Sequence, residues 1–440
     1  MLVAQKKRLL SAGASFAAIA LCLACGSSGP NVHNANRPIL TLPNDNVEIY
    51  VAGSVTEEPT PPKIHPPMHG SYPVVWTKDS QTLLDEKALG EWGSTANAVF
   101  VAGDDVYLAG VDNTQLRYGH PDPAPAVWKN GEKTLLGLSE NNCNGGNVTS
   151  VFVSGDDVYV GGYQFLEVET WADQGAWSFG EGNNRATLWK NGDPTLLETP
   201  ACFDSFVSSV FVDGEDVYAA GGFSRMLKWR DNEYYNFEFA AVWKNGEVVF
   251  GDVDGSCSFA MSVSVSNGIV YVAGDVWEIT GEREINGGYG NHSAVLWIDG
   301  EPQYLNSADN RMYSSGATSV FVSGDDVYIV GSESVSEENA EVRYRAILWK
   351  NGEKTILPDN FIKGTGYSWD YHALPLSLCV VGDDVYVVGE ERTALGKKDA
   401  YGDDAFGWEA VLWVNGERHS LCQGDYPRST ANSIFVRATR

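Results

Sequence analysis

The chain has 440 residues, 43% of them hydrophobic, and a formal charge of −28. It is long and apolar enough for a large packed core. Its charge argues against nucleic-acid partners and against anionic lipid surfaces, and favours neutral or cationic ligands.

Residues 1–24 read as a signal peptide: Lys6, Lys7 and Arg8 form a charged start, and an apolar run follows that is short for a membrane span. The run ends in Leu21-Cys22-Leu23-Ala24-Cys25-Gly26, then serines and glycine. Leu23-Ala24-Cys25 resembles a bacterial lipobox, with Cys22 at the position where an aliphatic residue is usual. The resemblance implies lipidation at Cys25, a location in the bacterial cell envelope (periplasmic or surface-exposed), and membrane attachment through the lipid alone. Residues 25–45 are polar and Asn- and Pro-containing, the composition of a flexible tether.

From residue 46 one unit recurs. An apolar strand (A) leads through a Gly-Asp turn to D-V-Y-apolar-apolar-Gly (strand B). A long connection follows, then A-V-L-W-K-N-G-E, which spans strand C, a turn and the start of strand D. The tyrosines are Tyr50, Tyr107, Tyr159, Tyr218, Tyr271, Tyr328 and Tyr386; the tryptophans are Trp76, Trp128, Trp189, Trp243, Trp297, Trp349 and Trp413. A period of roughly 50–60 residues with four short strands per unit predicts an all-β, seven-bladed β-propeller over residues 46–440. Strands A and B are almost wholly apolar, as expected where neighbouring sheets cover both faces. The recurrent Asn-Gly pairs, Asn130-Gly131 for example, predict two-residue hairpins. The first unit lacks strand A, and Ser433–Val436 forms a lone strand A at the end of the chain. The C-terminal strand is therefore expected to complete the first blade and close the ring.

Gly161-Gly162 and Gly221-Gly222, each followed by a loop and a tryptophan, distantly resemble the kelch pattern. The A–B and C–D turns share one face. The long B–C connections (54–72, 111–124, 163–185, 223–239, 275–293, 332–345 and 390–409) share the other with D–A, and variable loops on a rigid scaffold are where function concentrates.

The repeat tryptophans and tyrosines read as core. Seven further tryptophans lie in or beside the connections, and Trp171, Trp177, Trp229, Trp277, Trp369 and Trp408, with Tyr234 and Tyr235, are the candidate ligand-binding residues. Aromatic rings among acids and amides suit the apolar face of a sugar, while packing of the loops explains the same rings equally well. The turn acids, Asp104-Asp105 and its equivalents, follow tight-turn chemistry rather than calcium binding. His65 and His69 flank Pro66-Pro67 and have no third ligand, so no metal is expected, and no cofactor motif is present. Asp112, Asp275, Glu333 and Glu390 gather where strand B meets the loop face; a pair of them would suit glycoside chemistry. Cys143, Cys202, Cys257, Cys379 and Cys422 cannot all pair, and a bridge from Cys202 to Cys143 or Cys257 is weighed against free thiols. The expected function is binding of a glycan or an extracellular or periplasmic protein by a monomer through the loop face, with a glycan hydrolase or lyase as the alternative.

Overall fold

The computed structural model describes residues 46–56, 71–84, 93–114, 116–117, 120–121, 123–139, 143–166, 184–200, 202, 204–228, 234–251, 256–278, 292–305, 314–336, 342–360, 370–371, 373–398, 404–422 and 426–439. The signal peptide, the tether, His65, His69, Trp171, Trp177, Trp229, Trp369 and the centres of most B–C connections lie outside them. No helix is present among the described residues.

The described strands form a β-propeller. Blades 2 to 7 each run A-B-C-D from the axis outward. Blade 2, for instance, consists of Thr95–Ala102, Asp105–Asp112, Ala124–Lys129 and Glu132–Leu135. In blade 1 the innermost strand is Arg428–Ala438, which lies antiparallel to Val47–Thr56 from Val47↔Ala438 to Thr56↔Arg428. Ser71–Thr77 and Gln81–Leu83 complete that blade.

Every strand A carries a bulge. The register shifts between Ala96 and Ala98, Val148 and Ser150, Val207 and Ser209, Ala260 and Ser262, Ala317 and Ser319, and Pro375 and Ser377; in blade 1 it shifts opposite Ala52/Gly53. The bulge presses a strand A carbonyl against strand B three residues after the repeat tyrosine. A Cβ at Gly53, Gly110, Gly162, Gly221, Gly274, Gly331 or Gly389 would lie within 2.0 Å of that oxygen. The glycine of the D-V-Y-x-x-Gly motif is thus the counterpart of the bulge. The two Gly-Gly pairs that resemble kelch repeats occupy different positions: the bulge faces the second glycine of one, Gly162, and the first of the other, Gly221.

The bulge also links the blades. The serine after it accepts a backbone N–H from strand A of the next blade: Val99 donates to Ser433 (3.2 Å), Val210 to Ser150 (3.0 Å), Val263 to Ser209 (3.3 Å), Val320 to Ser262 (3.2 Å) and Ile434 to Ser377 (3.3 Å). The bulged residue donates to a carbonyl of the same neighbour, as with Asn97 to Val148, Thr149 to Val207, Thr318 to Pro375 and Asn432 to Ala96 (2.7–2.9 Å). Blade 1 takes part in this circle on both sides. The repeat tryptophans are at most 1% exposed. Trp189, Trp243 and Trp413 donate through Nε1 to Gly137, Glu198 and Pro358, carbonyls of the preceding blade's D–A connection.

The face of A–B and C–D turns is held by one repeated clasp. Each Asn-Gly turn has positive φ at both residues, for example 52° at Asn130 and 84° at Gly131. The asparagine accepts the N–H that opens strand B and donates to the second turn acid: Asn130 joins Val106 to Asp105, and Asn191, Asn245, Asn351 and Asn415 do the same in their blades. Lys129, Lys190, Lys244 and Lys350 then bind the other oxygen of that acid (2.7–2.8 Å) while lying over the repeat tyrosine. These hydrogen bonds from lysine and asparagine hold the Asp105, Asp157, Asp216 and Asp326 carboxyls below the usual range, and push Lys129 and Lys244 up to about 12. The acidic pairs therefore serve the turns, and no cluster suited to a metal occurs among the described residues.

On the opposite face the strands run further than their repeat motifs. Asp216–Lys228 pairs with Tyr234–Lys244, Asp326–Ser336 with Val342–Lys350, and Asp384–Lys398 with Asp404–Val414. Much of what reads as connection at 223–239, 332–345 and 390–409 is antiparallel ribbon, because Phe223, Phe237, Phe239, Val335 and Thr393 continue the β-prone pairing. The five cysteines among the described residues are free thiols. The bridge from Cys202 is not formed: Cys202 hydrogen-bonds Thr199, and Cys257 is buried.

Candidate functional site on the loop face

Counting from the repeat tryptophan locates the variable chemistry. Five residues before it stand Ser71, Pro123, Asn184, Glu238, His292, Tyr344 and Trp408. This position lies on strand C toward the loop face and is held by paired backbone rather than loop. Blades 4 to 7 thus bring Glu238, His292, Tyr344 and Trp408 to one level of adjacent sheets. Trp408 is half-buried and sits opposite Arg392, whose guanidinium lies 4.6 Å from the Phe406 ring centre. Tyr344 is buried.

The acids of strand B resolve into two kinds. Five residues after the repeat tyrosine, Asp112, Glu333 and Glu391 reach a base on strand D of their own blade. Lys133 binds Asp112 at 2.8 Å, Lys354 binds Glu333 at 2.7 Å, and Arg418 bridges Glu391 and Glu409. Burial of Asp112 opposes its charge, but hydrogen bonds from Lys133 and Thr114 prevail and hold its carboxyl below the usual range. Burial pushes the Glu391 carboxyl up despite the Asn360 N–H and Arg418. Four residues after the tyrosine, Glu390 accepts from Thr430 (2.7 Å) of the closing strand, with Arg428 at 3.7 Å. Asp275, at the same position in blade 5, hydrogen-bonds Nδ1 of His292. Of the four acids singled out in the sequence, Asp112, Glu333 and Glu390 are therefore neutralised by bases or by the closing strand, and Asp275 is coupled to an imidazole.

Around Asp275 the seam between blades 4 and 5 is aromatic. Trp277 and His292 are direct cross-strand partners and their rings stack at 4.5 Å and 21°. Trp277 is 4% exposed and also packs on Phe259 (5.2 Å) within the cluster holding Phe223, Phe237, Phe239 and Trp243. It serves as packing beneath the loop face and as a support for the imidazole. Tyr234 and Tyr235 stand opposite Lys228 and Leu227 at the far end of the blade 4 ribbon. Glu238 is half-buried and its carboxyl makes no hydrogen bond or ion pair with a described residue. Burial, then the charges of Asp275 and Asp204, push its carboxyl up, and His292 partly opposes them.

Glu238 and His292 escape the sequence reading because neither belongs to a motif. Their signal is the repeat position itself, which holds a different side chain in each unit while the flanking Ala and Trp stay constant.

No protein-family model matches the chain, and no curated protein matches it. Among solved structures it is similar to the β-propeller domain of the trilobed protease from Pyrococcus furiosus, at 13% identity and TM-score 0.43, over 87% of this chain and 94% of that one. It is similar to Trypanosoma rangeli sialidase at 10% identity and TM-score 0.39, over 82% of this chain and 55% of that one, so it spans little more than half the sialidase. It is also similar to the GH43 endo-arabinanase from Bacillus licheniformis, at 10% identity and TM-score 0.27, over 64% of this chain and 99% of that one.

Proposed function

We propose that this protein binds a glycan through its B–C and D–A face, as a lipoprotein of the bacterial cell envelope anchored at Cys25. The observation that supports the site is the arc Glu238, His292, Tyr344 and Trp408, set by one repeat position in four adjacent blades. Stacking one sugar on one ring is worth on the order of 1 kcal/mol, so affinity requires several such groups on a rigid frame. The opposite face carries the repeated asparagine–aspartate–lysine clasps. Neutral sugars also suit a chain of charge −28. Trp171, Trp177, Trp229 and Trp369 belong to the connections that border this arc in sequence. The coupling of Asp275 to His292 favours a second reading, glycan hydrolase or lyase, over the use of Asp112, Glu333 or Glu390.

A glycan array probed with the intact protein tests the binding. Trp408→Ala is expected to weaken the retained glycan about 5-fold, equivalent to about 1 kcal/mol, with an unchanged melting temperature. A lowered melting temperature would assign Trp408 to packing. Retention of no glycan would transfer the face to a protein partner. Cys25→Ser is expected to move the protein from the membrane fraction to the soluble one; unchanged membrane association would sink the anchor.

A further inference from the structure

We propose that Glu238, Asp275 and His292 form an acid–base centre that cleaves a glycosidic bond at the seam of blades 4 and 5, with Glu238 as acid, His292 as base and Asp275 as the residue positioning His292. The inference rests on the glycan reading and goes beyond binding.

The three groups come from rigid elements: Glu238 and His292 from strands C of adjacent blades, and Asp275 from strand B of blade 5. Asp275 engages Nδ1 of His292, and Trp277 stacks on the ring. The imidazole is thereby held in plane from one side and along one edge. Nε2 makes no hydrogen bond to a described residue, and the side chain keeps 30% of its surface exposed. Such an arrangement, a carboxylate on one nitrogen and solvent at the other, orients a histidine as a proton acceptor. Glu238 is the only carboxyl in the group without a partner among the described residues. The titratable groups around it are Asp204 on strand A of its own blade, Asp275 and His292, with the Cys257 thiol against its backbone. Burial and two carboxylates favour the protonated form of Glu238, the state an acid needs. Gly316 on strand A of blade 6 is the neighbour across the seam: a Cβ placed there would be in ordinary contact with the Asp275 Cβ, 3.9 Å away.

The reaction balances with water as the second reactant. Nε2 of His292 takes a proton from water, and the water oxygen bonds to the anomeric carbon. The bond from that carbon to the bridging oxygen breaks, its electron pair stays on the oxygen, and the Glu238 proton moves there. His292 then returns its proton through solvent to the Glu238 carboxylate. No oxidant or reductant is involved. A single displacement inverts the anomeric configuration.

The test measures reducing ends released from a panel of bacterial, plant and animal polysaccharides by the full-length protein, with proton NMR of the first product. Release with inversion is expected. Glu238→Gln and His292→Asn should each lower the rate at least 100-fold with the melting temperature preserved. Asp275→Asn should lower kcat with KM little changed, and Asp275→Glu should restore part of the loss, the readout of positioning. A protein that retains glycans on the array and releases no reducing ends overturns this inference and leaves the binding reading intact. Release unaffected by Glu238→Gln, or with retained configuration, also overturns it.

Discussion

At the scale of the residue, the repeat motif is a list of close contacts rather than a signature of any ligand. The glycine three after each tyrosine is required by a carbonyl: at Gly162 a Cβ would sit 2.0 Å from the Asn147 oxygen and 2.8 Å from Val148 Cα. Both are backbone atoms of a strand fixed by its neighbours, so neither can give way cheaply. Gly162→Ala is expected to cost about 3 kcal/mol or more, since strand A must leave its bulged register. Urea unfolding would read this as a lower midpoint. A wild-type midpoint would show that the close approach can relax. Gly161 offers a control: a Cβ there meets the Val210 and Val207 side chains instead of backbone.

At the scale of the element, the blade and its partner are coupled at the bulge. Strand A uses two backbone groups of the next blade, one N–H and one carbonyl, and these serine and bulge contacts add to the apolar packing and the tryptophan hydrogen bonds between sheets. Ser209→Ala would leave the Val263 N–H without its acceptor at an apolar seam, and is expected to cost about 1–3 kcal/mol. A melting temperature equal to the parent's would make the contact incidental; blade 2 already carries alanine at this place, Ala98. Architecture, blade order and hairpins were legible in the sequence because each rests on a periodic requirement, Trp in the core or Asn-Gly at positive φ. The serines were visible in Ser-Val-Phe-Val, but their task was not, since it is set by a neighbour some 54 to 60 residues away. The ribbon extensions of blades 4, 6 and 7 look like loops in sequence because they differ from the motif although their pairing does not. The candidate site was half legible. Asp275 and Trp408 were singled out, while Glu238 and His292 required the register between strands. The stacking of Trp277 on His292 follows from the cross-strand pairing and from no motif.

At the scale of the whole molecule, the last strand joins the first, and one thiol reports on that join. Cys379 on strand A of blade 7 is buried, its thiol pushed up to about 11 by burial, and its Sγ donates to Val436 of the closing strand at 3.7 Å. A thiol so placed does not react with an aqueous disulfide reagent. Removal of residues 428–440 is expected to expose Cys379 to such a reagent and to lower the melting temperature, through loss of ten paired positions with Val47–Thr56. A truncated protein that melts like the parent, with Cys379 still protected, would mean that the first blade does not depend on this strand. The ring matters to the proposed function because it fixes the spacing of Glu238, His292, Tyr344 and Trp408 without help from the loops. The most direct test attaches a photo-activatable group to a glycan retained by the intact protein, crosslinks it, and locates the adducts by mass spectrometry. Adducts are predicted on peptides that carry Glu238, His292, Tyr344 or Trp408. Adducts confined to the clasp face, at turns such as Gly103–Asp105 and Asn130–Gly131, would contradict the account.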